Sequence, residues 1–226
     1  NPYLCIRKAK MKQIILLGLL VLSFIGCTKY NQIDTGLAQK KYPGNMYEYL
    51  HSDSYNWDSL LVFIDYLGLE DYFTGKKAGY EEITFFGPTN HSIRRKIYEK
   101  YTWSATWQKV YLYHSVKEFI EGEGEEYCRQ LILSHIVKGK YEVKDIPRGT
   151  DDNAESGMIM ISVNGSKFRI YSFQEPYEET PEAGPVVLYI RGGKYMDTKI
   201  DVASTDIEPT NGIVHSLAYA FTLGQF

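Results

Sequence analysis

The stretch Ile83-Thr84-Phe85-Phe86-Gly87-Pro88-Thr89-Asn90-His91-Ser92-Ile93 changes character in its middle. Ile83 to Phe86 are β-branched and aromatic and read as a short strand running into Gly87-Pro88. Pro88 has no N–H, so it ends a strand without leaving an unpaired donor. Thr89 or Asn90 then offers a side-chain oxygen that can cap a helix start, and Ile93 and Ile97 fall on one face of the helix that follows.

Upstream of this stretch, Trp57, Leu60, Leu61, Ile64 and Leu67 recur at helical spacing, with Gly68 as a C-terminal stop. Downstream, Ser104 opens a candidate helix carrying Trp107, Val110 and Tyr111. Ser115 and Glu118 have capping-box spacing ahead of Phe119 and Ile120. Leu131, Ile132 and His135 close a further helix. The period then changes to two. Ile136 to Val143 reads as a strand. Met158 to Val163 and Ser166 to Tyr171 flank Asn164-Gly165, the dipeptide of a tight type I′ hairpin. Val186 to Ile190 is a continuous apolar run, consistent with a buried strand. Lys199 to Ala203 and Ile213 to Leu223 complete the set. Helices first and strands second predict an α+β fold, the N-terminal helices packed on a β-sheet or sandwich built mainly from the C-terminal half.

Three segments of this pattern, taken in order, resemble the signatures of the fasciclin family. The first is Ile83 to Ile93, a strand leading into Pro-Thr-Asn and a helix. The second is Leu131 to Tyr141, leucines followed by a histidine, a valine and a turn. The third is Val202 to Leu217, an Asp206-Ile207 followed by Asn211-Gly212-Ile213-Val214-His215. The resemblance covers residues 46–226. It departs at Ser134, where the family has a tyrosine before its histidine, and in the segments 101–130, 147–157 and 174–185, which are longer than a minimal domain needs. It implies a domain of adhesion or extracellular binding without chemistry, with partner contact at the positions of His135, Asp206 and Ile207. The residues themselves also allow plainer roles: His135 and His215 as satisfied core histidines, Asp206 in a local turn, Ile207 in the core. Asn211-Gly212 reads as the turn that returns the chain as its final strand.

The N-terminal region reads as a targeting segment. Met11-Lys12 precedes an apolar run from Ile14 to Ile25, long enough for a signal-peptide core and too short to span a bilayer. Gly26-Cys27 at its end looks like a bacterial lipobox, which would place a diacylglyceryl thioether on Cys27. Residues 1–26 are thus expected as upstream residues and signal, 27–45 as a tether, and 46–226 as the domain. Thr28 after the cysteine favours an outer-membrane lipoprotein, on either face. Cleavage before Cys27 leaves 21 basic and 28 acidic side chains, a net charge of −7, so membrane attachment is expected through the lipid and not a basic patch.

Charge and motif exclude other classes. A net charge of −3 on the whole chain is of the wrong sign for a nucleic-acid binder held by phosphates. No G-x-S-x-G, Walker loop, G-x-G-x-x-G after a strand, or H-E-x-x-H occurs. No enzyme activity, cofactor or metal is expected, since no histidine has metal-ligand spacing. Lone Cys128, in an apolar-periodic segment, reads as a small buried hydrophobe. One excess remains. Tyr101, Trp103, Trp107, Tyr111 and Tyr113 crowd a short segment in a chain with 20 tyrosines. Most of these read as core; an exposed platform at Trp103 and Trp107 would stack on sugar rings. The expectation is a lipid-anchored envelope binding or adhesion module with a protein or polysaccharide ligand, the alternative an accessory glycan- or nutrient-binding lipoprotein of an outer-membrane uptake system.

Overall fold

The computed structural model describes residues 40–193 and 196–226. The signal segment, Cys27 and the tether up to residue 39 lie outside the described residues.

Helices α1 (Met46–Ser52), α2 (Ser54–Leu67) and α3 (Glu70–Thr74) come first. Strand β1 (Ile83–Gly87) leads into α4 (Asn90–Tyr98), then a hairpin of β2 (Tyr101–Trp103) and β3 (Lys109–Tyr111). Helices α5 (Val116–Glu123) and α6 (Glu125–Leu133), broken at Gly124, precede β4 (Ile136–Lys138). The C-terminal half adds β5 (Met158–Ile161), β6 (Lys167–Gln174), β7 (Val186–Gly192), β8 (Thr198–Ile207) and β9 (Gly212–Leu217). The main sheet runs β4-β1-β9-β8-β7-β6-β5. Within it β1 and β9 are parallel, with Phe85 opposite Val214 and Phe86 opposite His215, and the other pairs are antiparallel. Register shifts between Val202 and Ile207 bend β8. The sheet curls until its edges meet: Val137 of β4 bridges Ser162 just beyond β5, and the Val163 amide donates to the Ile136 carbonyl at 2.9 Å.

The curl makes two cores, and the paired phenylalanines of β1 divide between them because successive strand residues face opposite ways. Phe85 turns to the helical layer, edge-on to Phe73 with ring centres 5.0 Å apart, among Trp57, Leu60, Phe63, Phe119 and Ile132. Phe86 turns into the curled sheet, edge-on to Phe168 at 5.4 Å, with Ile170, Leu188, Ile190 and Leu217. Truncating either to alanine costs about 3–5 kcal/mol.

The expected α+β architecture is present, and α2 ends at Gly68 as its spacing predicts. Several local readings change. No helix starts at Ser104: the segment is the β2–β3 hairpin, with Tyr101 opposite Tyr111 and Trp103 opposite Lys109. The strand at 136 stops at Lys138, before a turn at Gly139. The run Val186 to Ile190 is not buried throughout; Leu188 and Ile190 point into the core, Val187 and Tyr189 on the opposite face are half-buried, and Val186 at the start of the strand is exposed. The 162–166 turn is not type I′. Gly165 alone has positive φ, +85°, and the Ser162 amide donates to the Ser166 carbonyl, which makes a three-residue loop with a left-handed third residue. Gly212 serves close packing: a Cβ there would stand 2.2 Å from the Ile83 carbonyl oxygen. Lys40–Asn45, the described part of the expected tether, runs along the domain. The Tyr42 amide donates to the Glu208 carbonyl at 2.9 Å, and the Asn45 side chain caps α1.

The long segments after β4 are stapled from within. Arg169 on β6 is buried, and its Nη1 donates to the carbonyls of Thr150, Asn153 and Ser156 at 2.9–3.2 Å. Asp151 of the same loop accepts from Tyr171, Arg191 and Lys199.

Candidate functional site

Asparagines of the first and third signature segments act as struts. Thr89 is the N-cap residue of α4, but its side chain makes no capping bond. Asn90 instead reaches α2: its Oδ1 accepts from the Ser59 amide at 2.7 Å, and its Nδ2 donates to the carbonyls of Ser54 and Tyr55. Asn211 does the same for the other helices. Its Oδ1 accepts from the Met46 amide at 2.7 Å and its Nδ2 donates to the Phe73 carbonyl at 3.0 Å. These side chains hold the helical layer on the sheet and face no ligand.

Both signature histidines are structural as well. His135 is fully buried, its Nδ1–H donating to the Phe86 carbonyl at 2.8 Å and its ring edge-on to Phe226 at 4.4 Å. Burial pushes its pKa down to about 3, against a smaller upward pull from the Phe86 carbonyl, so the ring is neutral. His215 stacks on Phe86 at 5.4 Å; its Nε2–H donates to the Tyr141 carbonyl and its Nδ1 accepts from the Asp206 amide. Burial lowers its pKa too. Asp206 has φ +58° at the bend of β8, and its Oδ1 accepts from the Val143 amide at 2.8 Å. Ile207 packs on the helical core. The partner contact expected at His135 is therefore corrected: no solute reaches a side chain sealed by Phe221 and Phe226. Asp206 and Ile207 tie the bend of β8 to its neighbours. Cys128 is buried, and its thiol is pushed up to about 11 by burial and then by Glu123, far from a reactive thiolate.

Trp103 and Trp107 lie elsewhere and behave differently. Trp103 is 54% exposed and Trp107 83% exposed. The reading of this segment as core is corrected: only Tyr113 turns inward, against Phe119. The hairpin register puts Tyr101, Trp103, Lys109 and Tyr111 on one face. Tyr101 and Trp103 meet edge-on at 5.6 Å, and Lys109 Nζ stands 4.2 Å from the centre of the Tyr101 ring. The face continues onto α4, where Tyr98 packs on Tyr111 at 4.7 Å. Between hairpin and helix runs an open groove of about 430 Å³ lined by His91, Arg94, Arg95, Tyr98, Glu99, Tyr101 and Lys109. Arg94, Arg95 and Tyr98 were not among the expected site residues. They are the outward face of an amphipathic helix whose inward face is Ile93 and Ile97, and only the fold brings the hairpin beside it.

Chemically this surface can stack flat rings and offer positive charge. Among the described residues no three His, Cys, Asp or Glu side chains stand close enough to hold a metal ion, and no helix is long and apolar enough to cross a membrane.

Comparison with known proteins agrees with the resemblance read from the signatures. Seventeen chains of solved structures match. One is a FAS1 domain pair from the insect cell adhesion molecule fasciclin I, at 16% identity and a TM-score of 0.42, over 80% of this chain. The match spans 46% of that chain, about half its length. None of the curated proteins matches. The family model for the fasciclin domain matches residues 56–222, from the first turns of α2 to the segment after β9. By that match the chain belongs to the fasciclin-domain family.

Proposed function

We propose that this protein is a non-catalytic contact module of the cell envelope, tethered by a diacylglyceryl group on Cys27, with the β2–β3 hairpin as its contact element. The carrying observation is the solvent exposure of Trp103 and Trp107 on a hairpin whose other aromatic side chains, Tyr101 and Tyr111, pack along its surface against each other, Trp103, Lys109 and Tyr98. Isolated exposed aromatics are ordinary; a contiguous set on one rigid hairpin is the composition of a binding surface. The family supports the same reading, since fasciclin domains are adhesion-type modules. Catalysis has no support from the buried signature histidines, which are neutral and enclosed.

Co-sedimentation with isolated cell envelopes tests the contact element. The Cys27→Ser chain, which carries no lipid, is expected to sediment with envelopes, and the same chain with Trp103→Ala and Trp107→Ala to stay in the supernatant. Equal sedimentation of both, or of neither, contradicts the assignment. The anchor has its own test: an alkyne fatty acid fed to cells is expected to label the wild type and not Cys27→Ser. Equal labelling places the lipid elsewhere.

A further inference from the structure

We infer that the groove between α4 and the β2–β3 hairpin takes an acidic polysaccharide, a polymer of sugar rings bearing carboxylates. This rests on the hairpin being the contact element and goes further by naming the ligand's chemistry. Two features meet in one place. The first is a run of rings, Tyr98, Tyr111, Tyr101 and Trp103, each within 6.4 Å of the next, with Trp107 at the tip of the same hairpin. Tyr101 stands edge-on to both Tyr111 and Trp103, so the run is ridged and not flat; single ring faces along it suit the apolar faces of successive pyranose rings, and its length suits an extended chain better than a single small molecule.

The second is charge. The groove carries Arg94, Arg95 and Lys109 in a chain whose formal net charge is −3. Among the described residues none of the three is within ion-pair distance of a carboxylate. The one acid at the groove, Glu99, is taken by Lys96 at 3.1 Å. Arg95 is held in place by donating through Nε to the Tyr219 carbonyl at 3.0 Å, which leaves its terminal nitrogens for a ligand. A neutral glycan would use the rings and waste the cations. A single-stranded nucleic acid offers bases to the rings and phosphates to the cations as well, and it is the competing outcome of the test. Sugar carboxylates spaced along a chain match three cations set among rings.

Affinity electrophoresis of the full-length Cys27→Ser chain tests the inference, with polygalacturonate or neutral dextran cast in the gel. The expected result is retardation by polygalacturonate and not by dextran. Arg94→Ala and Lys109→Ala should each weaken it about tenfold, equivalent to about 1.4 kcal/mol, and Trp103→Ala at least as much. These side chains are exposed, and an unchanged urea midpoint for each variant separates lost binding from lost folding. Retardation by both polymers alike, by neither, or more strongly by single-stranded DNA than by polygalacturonate overturns it. The contact reading fails separately, by its own envelope assay: a chain that sediments with envelopes through Trp103 and Trp107 yet ignores polygalacturonate keeps its contact element and loses this ligand.

Discussion

Trp107 occupies in the β2–β3 turn the position that Gly165 occupies in the β5–β6 turn. In one, the Ser104 amide donates to the Gln108 carbonyl at 2.9 Å and the Trp107 amide to the Ser104 carbonyl at 3.0 Å. In the other, the Ser162 amide donates to the Ser166 carbonyl and the Gly165 amide to the Ser162 carbonyl, both at 2.9 Å. The third loop residue is left-handed in each, with φ +59° at Trp107 and +85° at Gly165. Glycine is the usual occupant of such a position, and a bulky side chain there costs about 1–3 kcal/mol. The ring gains nothing in return from burial. A strained residue kept fully in solvent points to a role outside the fold.

Trp107→Gly should therefore stabilise the protein. Relief of strain exceeds the extra backbone entropy that glycine loses on folding, about 0.5–1 kcal/mol, and leaves a net gain of about 1 kcal/mol. Urea unfolding reads this as a higher midpoint at unchanged slope. A lower midpoint would mean that the indole packs on the hairpin after all.

The buried histidines give stability a pH dependence of definite sign. His135 and His215 have folded pKa values below the ordinary 6.5, His135 at about 3. The unfolded chain thus binds protons first as pH falls. The stabilisation is complete above about pH 6.5 and is lost on acidification toward the folded values. Unfolding free energy should fall by about 1.4 kcal/mol per pH unit between pH 6 and pH 5 on account of His135 alone, and His215 adds a fall of the same sign. His135→Gln should remove the first of these contributions and leave a shallower slope. Stability that is flat over this range would show that neither ring is held neutral.

The asparagine struts predict losses that ordinary caps would not. Asn90→Ala removes three hydrogen bonds joining α4 to α2 and leaves the Ser59 amide without its acceptor, at a cost of about 2–3 kcal/mol. Thr89→Val, at the N-cap position itself, removes no capping bond and should cost under about 1 kcal/mol. Thermal unfolding of the two variants checks the order, and a larger loss at Thr89 would return the role to the cap.

The strand from 83, the proline that ends it and the helix start after it were legible because they follow from backbone rules: a ladder that must end and a helix that must begin. The role of Asn90 was not, since it caps nothing and its partners lie on α2, more than thirty residues away in sequence. The buried histidines were legible in the same way, from apolar neighbours. The hairpin at 101–111 was not. A capping serine at 104 with apolar residues at 107, 110 and 111 imitates one helix face, and nothing local shows that Tyr101, Trp103 and Tyr111 share a strand-pair face turned to solvent. Aromatic content reads as core in a sequence because burial is the commoner fate of such rings. Arg94 and Arg95 were invisible as site residues because their only distinction is the hairpin that the fold sets beside them. Arg169 was missed for a related reason: its partners are carbonyls of a distant loop, which carry no mark in sequence.

Envelope binding by Trp107→Gly, made in the Cys27→Ser chain so that no lipid anchors it, puts the central claim to its most direct test, because this change is expected to improve the fold while removing the most exposed ring among the described residues. The result in keeping with a contact role is a chain at least as stable as the Cys27→Ser parent in urea that no longer sediments with isolated envelopes. A chain more stable than that parent that sediments as fully as before would show that Trp107 is strained for some other reason and that the hairpin tip is not where this protein meets its partner.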